Sequence, residues 1–131
     1  MTEKDIIKPW ISIEDLPKDI YVEAVYDDFE GFRVLLRGTA IDAKMLRISC
    51  NDNIYYRNTD ESYLLKIWGS MPKDIEPSLI YTIENSTFVE YFHEMSEGCY
   101  ATWKITNYAI YSTNDCIDIL SVEPLIVEWL D

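Results

Sequence analysis

The chain has one histidine, three cysteines and four glycines in 131 residues, and each shortage removes a class of explanation. A metal centre of imidazole and thiolate would need His93, Cys50, Cys99 and Cys116 to converge from distant points of the sequence. The cysteines are odd in number and outside any CxxC spacing, the usage of reduced thiols in a reducing compartment. The scarcity of glycine goes with the lack of a GxGxxG or GxxxxGK[ST] phosphate loop, and HExxH and GxSxG are also missing. No apolar run approaches the ~20 residues that span a bilayer. The opening Met1-Thr2-Glu3-Lys4-Asp5 lacks a basic region followed by an apolar stretch. A cytoplasmic location is therefore expected. Without repeats or a Gly/Ser-rich or Pro-rich linker, residues 1–131 read as a single domain.

Positive charge is also scarce, and very unevenly so. Residues 74–131 carry eleven carboxylates against one base, Lys104, a net of −10, while residues 1–73 are only 3 units negative. Disorder does not follow from this charge, because 48% of the chain is hydrophobic and ten Tyr and four Trp are available for a core. The charge therefore belongs to a folded surface. Such a field steers cationic partners toward the acidic half and repels nucleic acid and anionic membrane.

Two β-favouring runs, 20–26 and 32–37, flank the loop Asp27-Asp28-Phe29-Glu30-Gly31 and read as a hairpin. A second hairpin is expected from 44–50 and 54–57 around Asn51-Asp52-Asn53, whereas the segment up to Ile13 reads as irregular, with Trp10 docking on the core. Thr59-Asp60-Glu61-Ser62 can cap a helix through Trp68, with Tyr63, Leu64, Ile67 and Trp68 on one face. A strand at 79–83 precedes the clearest helix, Thr87 to Glu97, in which Phe88, Tyr91, Phe92 and Met95 fall at i, i+3, i+4 and i+7. Thr87 and Glu90 fit a capping box there, and Gly98 fits the position past its end. Strands at 103–112, 116–120 and 125–129 follow. The order ββββ-α-β-α-βββ, about seven or eight strands and two helices, predicts the α+β class, a mostly antiparallel sheet with helices packed against it.

Several constellations bear on chemistry. His93 lies within helical reach of Glu90 and Glu97, with Cys99 just beyond, the ingredients of a Cys-His nucleophile. The spacing fits solvated charge neighbours better. Asp115 and Asp118 could offer oxygens to Mg²⁺ or Ca²⁺, but the register of a Ca²⁺ loop is missing and a turn accounts for Asn114-Asp115. Arg33, Arg37, Lys44, Arg47 and Arg57 could form an anion site, although solubilising residues paired with nearby acids are the simpler reading. The expectation is no hydrolase or transferase activity, no cofactor and no metal.

The segments Ile83-Glu84-Asn85-Ser86, Phe88 to Gly98, Asn107 to Tyr111, Asn114 to Ser121 and Val127-Glu128-Trp129 resemble a group of small uncharacterised bacterial proteins of the toxin-immunity type. The likeness covers about the last third of the chain and carries over no functional residues. It implies a bacterial cytoplasmic protein that neutralises a toxin. Together with the charge, it leads to the expectation of a protein-binding domain that holds a basic partner, such as a nuclease toxin, with Glu90, Glu94, Glu97, Asp115 and Asp118 as the binding carboxylates. The alternative is a small-molecule module with an aromatic-lined pocket.

Overall fold

A computed structural model describes residues 5–10, 13–14, 16–17, 19–51, 55–60 and 78–130. Alternating apolar residues build the first layer. Strands β2 (Ile20–Asp28), β3 (Gly31–Gly38), β4 (Met45–Cys50) and β9 (Ile126–Leu130) form a four-stranded antiparallel sheet in the order β2-β3-β4-β9. Direct pairing of Val22 with Leu36, Leu36 with Leu46 and Val34 with Ile48 puts these side chains on one face, and Leu46 with Trp129 and Ile48 with Val127 continues it. The other face carries Arg33, Arg37 and Arg47 at the intervening positions. Gly38 ends β3 because nothing larger fits: a Cβ there would lie 2.8 Å from the Pro17 ring.

The second layer is a five-stranded antiparallel sheet in the order β1-β6-β7-β8-β5, made of β1 (Ile6–Pro9), β5 (Tyr55–Asp60), β6 (Ile80–Glu84), β7 (Thr106–Tyr111) and β8 (Asp115–Ser121). Its Ile80, Tyr108, Ile110, Ile117 and Ile119 meet the apolar face of the first sheet in one core cluster. Each such side chain contributes roughly 1.5 to 3 kcal/mol when fully buried. Trp10 docks edge-on against Tyr108 with ring centroids 5.0 Å apart. Asn114 ties the layers together, since its Oδ1 accepts from the Val22 backbone N–H at 2.9 Å where β2 bulges.

The mostly antiparallel α+β expectation holds in its coarse form, as nine strands and one helix, α1 (Thr87–Met95), among the described residues. Two finer expectations are corrected. The opening segment is not wholly irregular, because β1 pairs with β6 from Ile6 to Pro9. The hairpin of 44–50 with 54–57 does not form: β9 takes the second side of β4, and β5 joins β8 in the other sheet. Adjacency in sequence loses there to cross-strand partners, Arg47 meeting Glu128 and Arg57 meeting Asp118. The helix expected from Thr59 to Trp68 lies outside the described residues except for Thr59 and Asp60, which belong to β5.

Candidate functional site

Helix α1 starts one residue earlier than its capping pattern indicated. Ser86 is the N-cap, its Oγ accepting from the Val89 N–H at 3.1 Å, and Thr87 instead gives its N–H and hydroxyl to the Asp5 carboxylate at 2.7 and 3.0 Å. A carboxylate at a helix N-terminus is favoured by the exposed N–H groups. At the other end the left-handed position begins at Glu97, φ 52°, and continues in Gly98, φ 75°.

The roll of the helix on the sheet also differs from the expected one. Phe88 is buried and Phe92 half-buried, against the ring of Tyr55 at 5.5 and 6.1 Å. The expected apolar stripe is corrected in its other half: Tyr91 is 46% and Met95 65% exposed. Val89, His93 and Ser96 take the half-buried positions instead. Advancing ~100° per residue, the outward arc holds Glu90, Tyr91, Glu94 and Met95, and Glu90 and Glu94 on the helix and Glu97 just past it are all exposed. In the following turns Tyr100 stacks on Phe92 at 5.6 Å and meets Trp103 edge-on at 4.6 Å, leaving Trp103 47% exposed.

Beneath the helix runs a polar chain that is buried except at its Arg57 end. Ser86 Oγ donates to Asn107 Oδ1 at 2.8 Å, Asn107 Nδ2 donates to Asp118 Oδ1 at 3.2 Å, and Arg57 Nε donates to Asp118 Oδ2 at 2.9 Å. The Arg57 guanidinium lies over the Phe88 ring, 4.1 Å from its centroid. Asp118 is therefore not part of the outward acidic surface: it is 5% exposed and answered by Arg57 and Asn107. Asp115 is half-buried at the start of β8. Three positions apart on one strand, Asp115 and Asp118 point to opposite faces, so they cannot hold one cation. Among the described residues no group of three His, Cys, Asp or Glu side chains is placed to hold a metal.

The Cys-His pairing finds no geometric support. His93 Nδ1 is buried with no hydrogen-bond partner, and Cys99 is exposed on the turn beyond the helix. Cys116 and Tyr111 share the covered face of β7 and β8, where burial pushes both well above their ordinary ranges, with Asp118 adding to the rise of Cys116 and Cys116 and then Asp118 adding to that of Tyr111. A thiol held protonated in this way is a poor nucleophile. Arg33, Arg37 and Arg47 are paired with Asp28, Glu23 and Glu128, at 2.8, 3.1 and 2.7 Å, as expected of outward solubilising residues. Among the described residues are open clefts of about 410, 350 and 430 Å³, lined respectively by residues around Leu16 and Tyr111, around Pro17 and Trp129, and around Phe29 and Arg47.

The acidic helix is legible in the sequence, but the exposure of Tyr91, Met95 and Trp103 is not, because their spacing fits a buried helical stripe and a strand. Ser86 signals where the helix starts, but which of its faces turns outward is set by contacts with Tyr55 from a distant strand. No helix among the described residues is long and apolar enough to cross a membrane. No family model, curated protein or solved structure matches this chain.

Proposed function

We propose that the protein binds a basic protein partner through the outward face of α1 and the turns after it, as a cytoplasmic immunity protein would neutralise a basic toxin such as a nuclease. The observation that carries this reading is the exposure of Tyr91, Met95 and Trp103 in the same stretch as exposed Glu90, Glu94 and Glu97. Carboxylates accelerate encounter with a cation-rich surface, toward roughly 10⁸ to 10⁹ M⁻¹s⁻¹ at low salt. Affinity needs anchors that lose their water on binding, a role in which Tyr and Trp are enriched. Local energetics also disfavour this arrangement on folding grounds alone. Glu90 and Glu94 repel at i,i+4, and Glu94 and Glu97 sit at the helix end where the dipole disfavours negative charge, each effect costing on the order of a few tenths of a kcal/mol.

The test is capture of partners from the source cells at low and at high salt, with the adjacent gene product co-expressed. A basic protein retained at low salt and released at high salt is expected. Joint replacement of Glu90, Glu94 and Glu97 by Gln should slow its association and flatten the salt dependence. An unchanged rate and salt slope in that variant would sink the reading.

A further inference from the structure

The chain itself shows how its surfaces hold a cation. The Arg33 guanidinium lies 4.6 Å from the Tyr26 ring centroid while its NH1 donates to Asp28 Oδ1 at 2.8 Å, with Glu30 alongside at 3.7 Å. The Arg57 guanidinium lies 4.1 Å from the Phe88 ring centroid while its Nε donates to Asp118 at 2.9 Å. Both clamps combine an aromatic face with a carboxylate, and both hold arginine. The planar guanidinium explains the choice, since it stacks on a ring and still directs N–H groups sideways to an acid, which a compact ammonium does less well.

The outward face of α1 presents the same two components to solvent. Tyr91 and Glu94 are i,i+3 neighbours on the helix, Met95 is one turn from Tyr91, and Trp103 follows in the turns after the helix, edge-on to Tyr100, which stacks on Phe92. Lys104 is the sole basic residue of segment 74–131. Resting on the partner-binding reading above, we propose that this face recognises arginine in particular, and that the occupant is an arginine-bearing basic segment of the partner, its guanidinium groups stacked on Tyr91 or Trp103 and bonded to Glu94. Charge complementarity selects a cationic partner, and the exposed rings select arginine over lysine.

The experiment compares fluorescein-labelled nona-arginine and nona-lysine peptides, equal in formal charge, binding to the intact chain at low salt by fluorescence anisotropy. The expected result is a preference for nona-arginine of about fivefold or more, reduced toward unity in Tyr91→Leu with Trp103→Leu. Equal affinities for the two peptides would overturn the arginine inference while leaving a basic partner intact. A preference that survives in the Tyr91→Leu, Trp103→Leu variant would overturn the assignment to this face. Binding of neither peptide would overturn both this proposal and the partner-binding reading. Because both rings are about half exposed, the variant retains its core, and circular dichroism confirms that it does.

Discussion

The two sheets have the same antiparallel pairing but differ in what lies outside them. In the four-stranded sheet, β3 and β4 alternate half-buried and buried positions throughout, and the outer residues include the arginines Arg33, Arg37 and Arg47, each in an ion pair at the surface. In the five-stranded sheet, β8 is buried at six of its seven positions and β7 at four of six. A strand covered on one face alternates, whereas one covered on both runs continuously apolar. A polar residue on a doubly covered strand must also find partners inside the protein. Asn107, Asp118 and Ser121 do so, the last accepting from Cys50 and donating to the Glu123 carbonyl.

Two outward-facing leucines test that contrast most directly. Leu120 lies opposite Tyr55 and Asn107 on the outer face of β8 yet is fully buried, while Leu35 lies on the outer face of β3 and is half-buried. Leu120→Ala should cost about 2 to 5 kcal/mol, the usual range for a core leucine. Leu35→Ala should cost much less, near the ~1 kcal/mol typical of point changes. Urea unfolding reads both, and similar losses would mean that the outer faces are covered alike.

The polar pairs should divide in the same way. Asp118→Ala removes the acceptor shared by Asn107 Nδ2 and Arg57 Nε, leaving Asn107 Nδ2 the Tyr108 carbonyl alone, and should cost roughly 1 to 3 kcal/mol. Glu128→Ala releases Arg47 into water and should cost under about 1 kcal/mol. The comparison breaks if Glu128→Ala proves the more damaging.

The covered face should also govern alkaline stability. Burial raises Cys116 and Tyr111 in the folded protein, so the native state keeps their protons while the unfolded chain loses them above ordinary values of ~8.5 and ~10. A raised folded value means that stability is intact below the unfolded value and falls as pH climbs past it. The loss expected by pH 10 is roughly 1 to 2 kcal/mol relative to pH 7. Cys116→Ala with Tyr111→Phe should flatten that decline in urea midpoints. The same burial predicts that a thiol reagent labels Cys99 in the native state and leaves Cys116 and Cys50 unmodified.

The first sheet was the more legible in the sequence for the reason that separates the two layers. Leu46-Arg47-Ile48-Ser49-Cys50 alternates as a half-covered strand does, and the turn residues around Gly31 mark the hairpin of β2 and β3. Strand existence could be read at 116–120 as well, but partners could not. The choice of β9 for β4 and of β8 for β5 depends on contacts between residues far apart in sequence. The site divided similarly. Helix, acids and charge asymmetry were local and visible, whereas the roll of α1 depends on whether Tyr55 meets Phe88 and Phe92 or some other pair, and both arcs of the helix carry aromatic rings. Asp118 was misplaced for the same reason, since an acid on an alternating strand looks outward until something covers it.

The smallest effect concerns the end of α1. Glu97 holds a left-handed backbone, φ 52°, that glycine adopts without the Cβ penalty, and its carboxylate sits just past a helix C-terminus. Glu97→Gly removes both costs but adds backbone entropy to the unfolded chain, so the net gain should be about 0.5 to 1 kcal/mol. Thermal unfolding should therefore show a slightly higher Tm. If Glu97 serves the acidic surface, the same variant should also associate more slowly with a basic partner at low salt. Stability and association rate would then move in opposite directions, as expected where a strained residue is kept for binding. A variant that gains stability and loses nothing in association rate would show that Glu97 lies outside the contact, and would confine the acidic surface to Glu90 and Glu94.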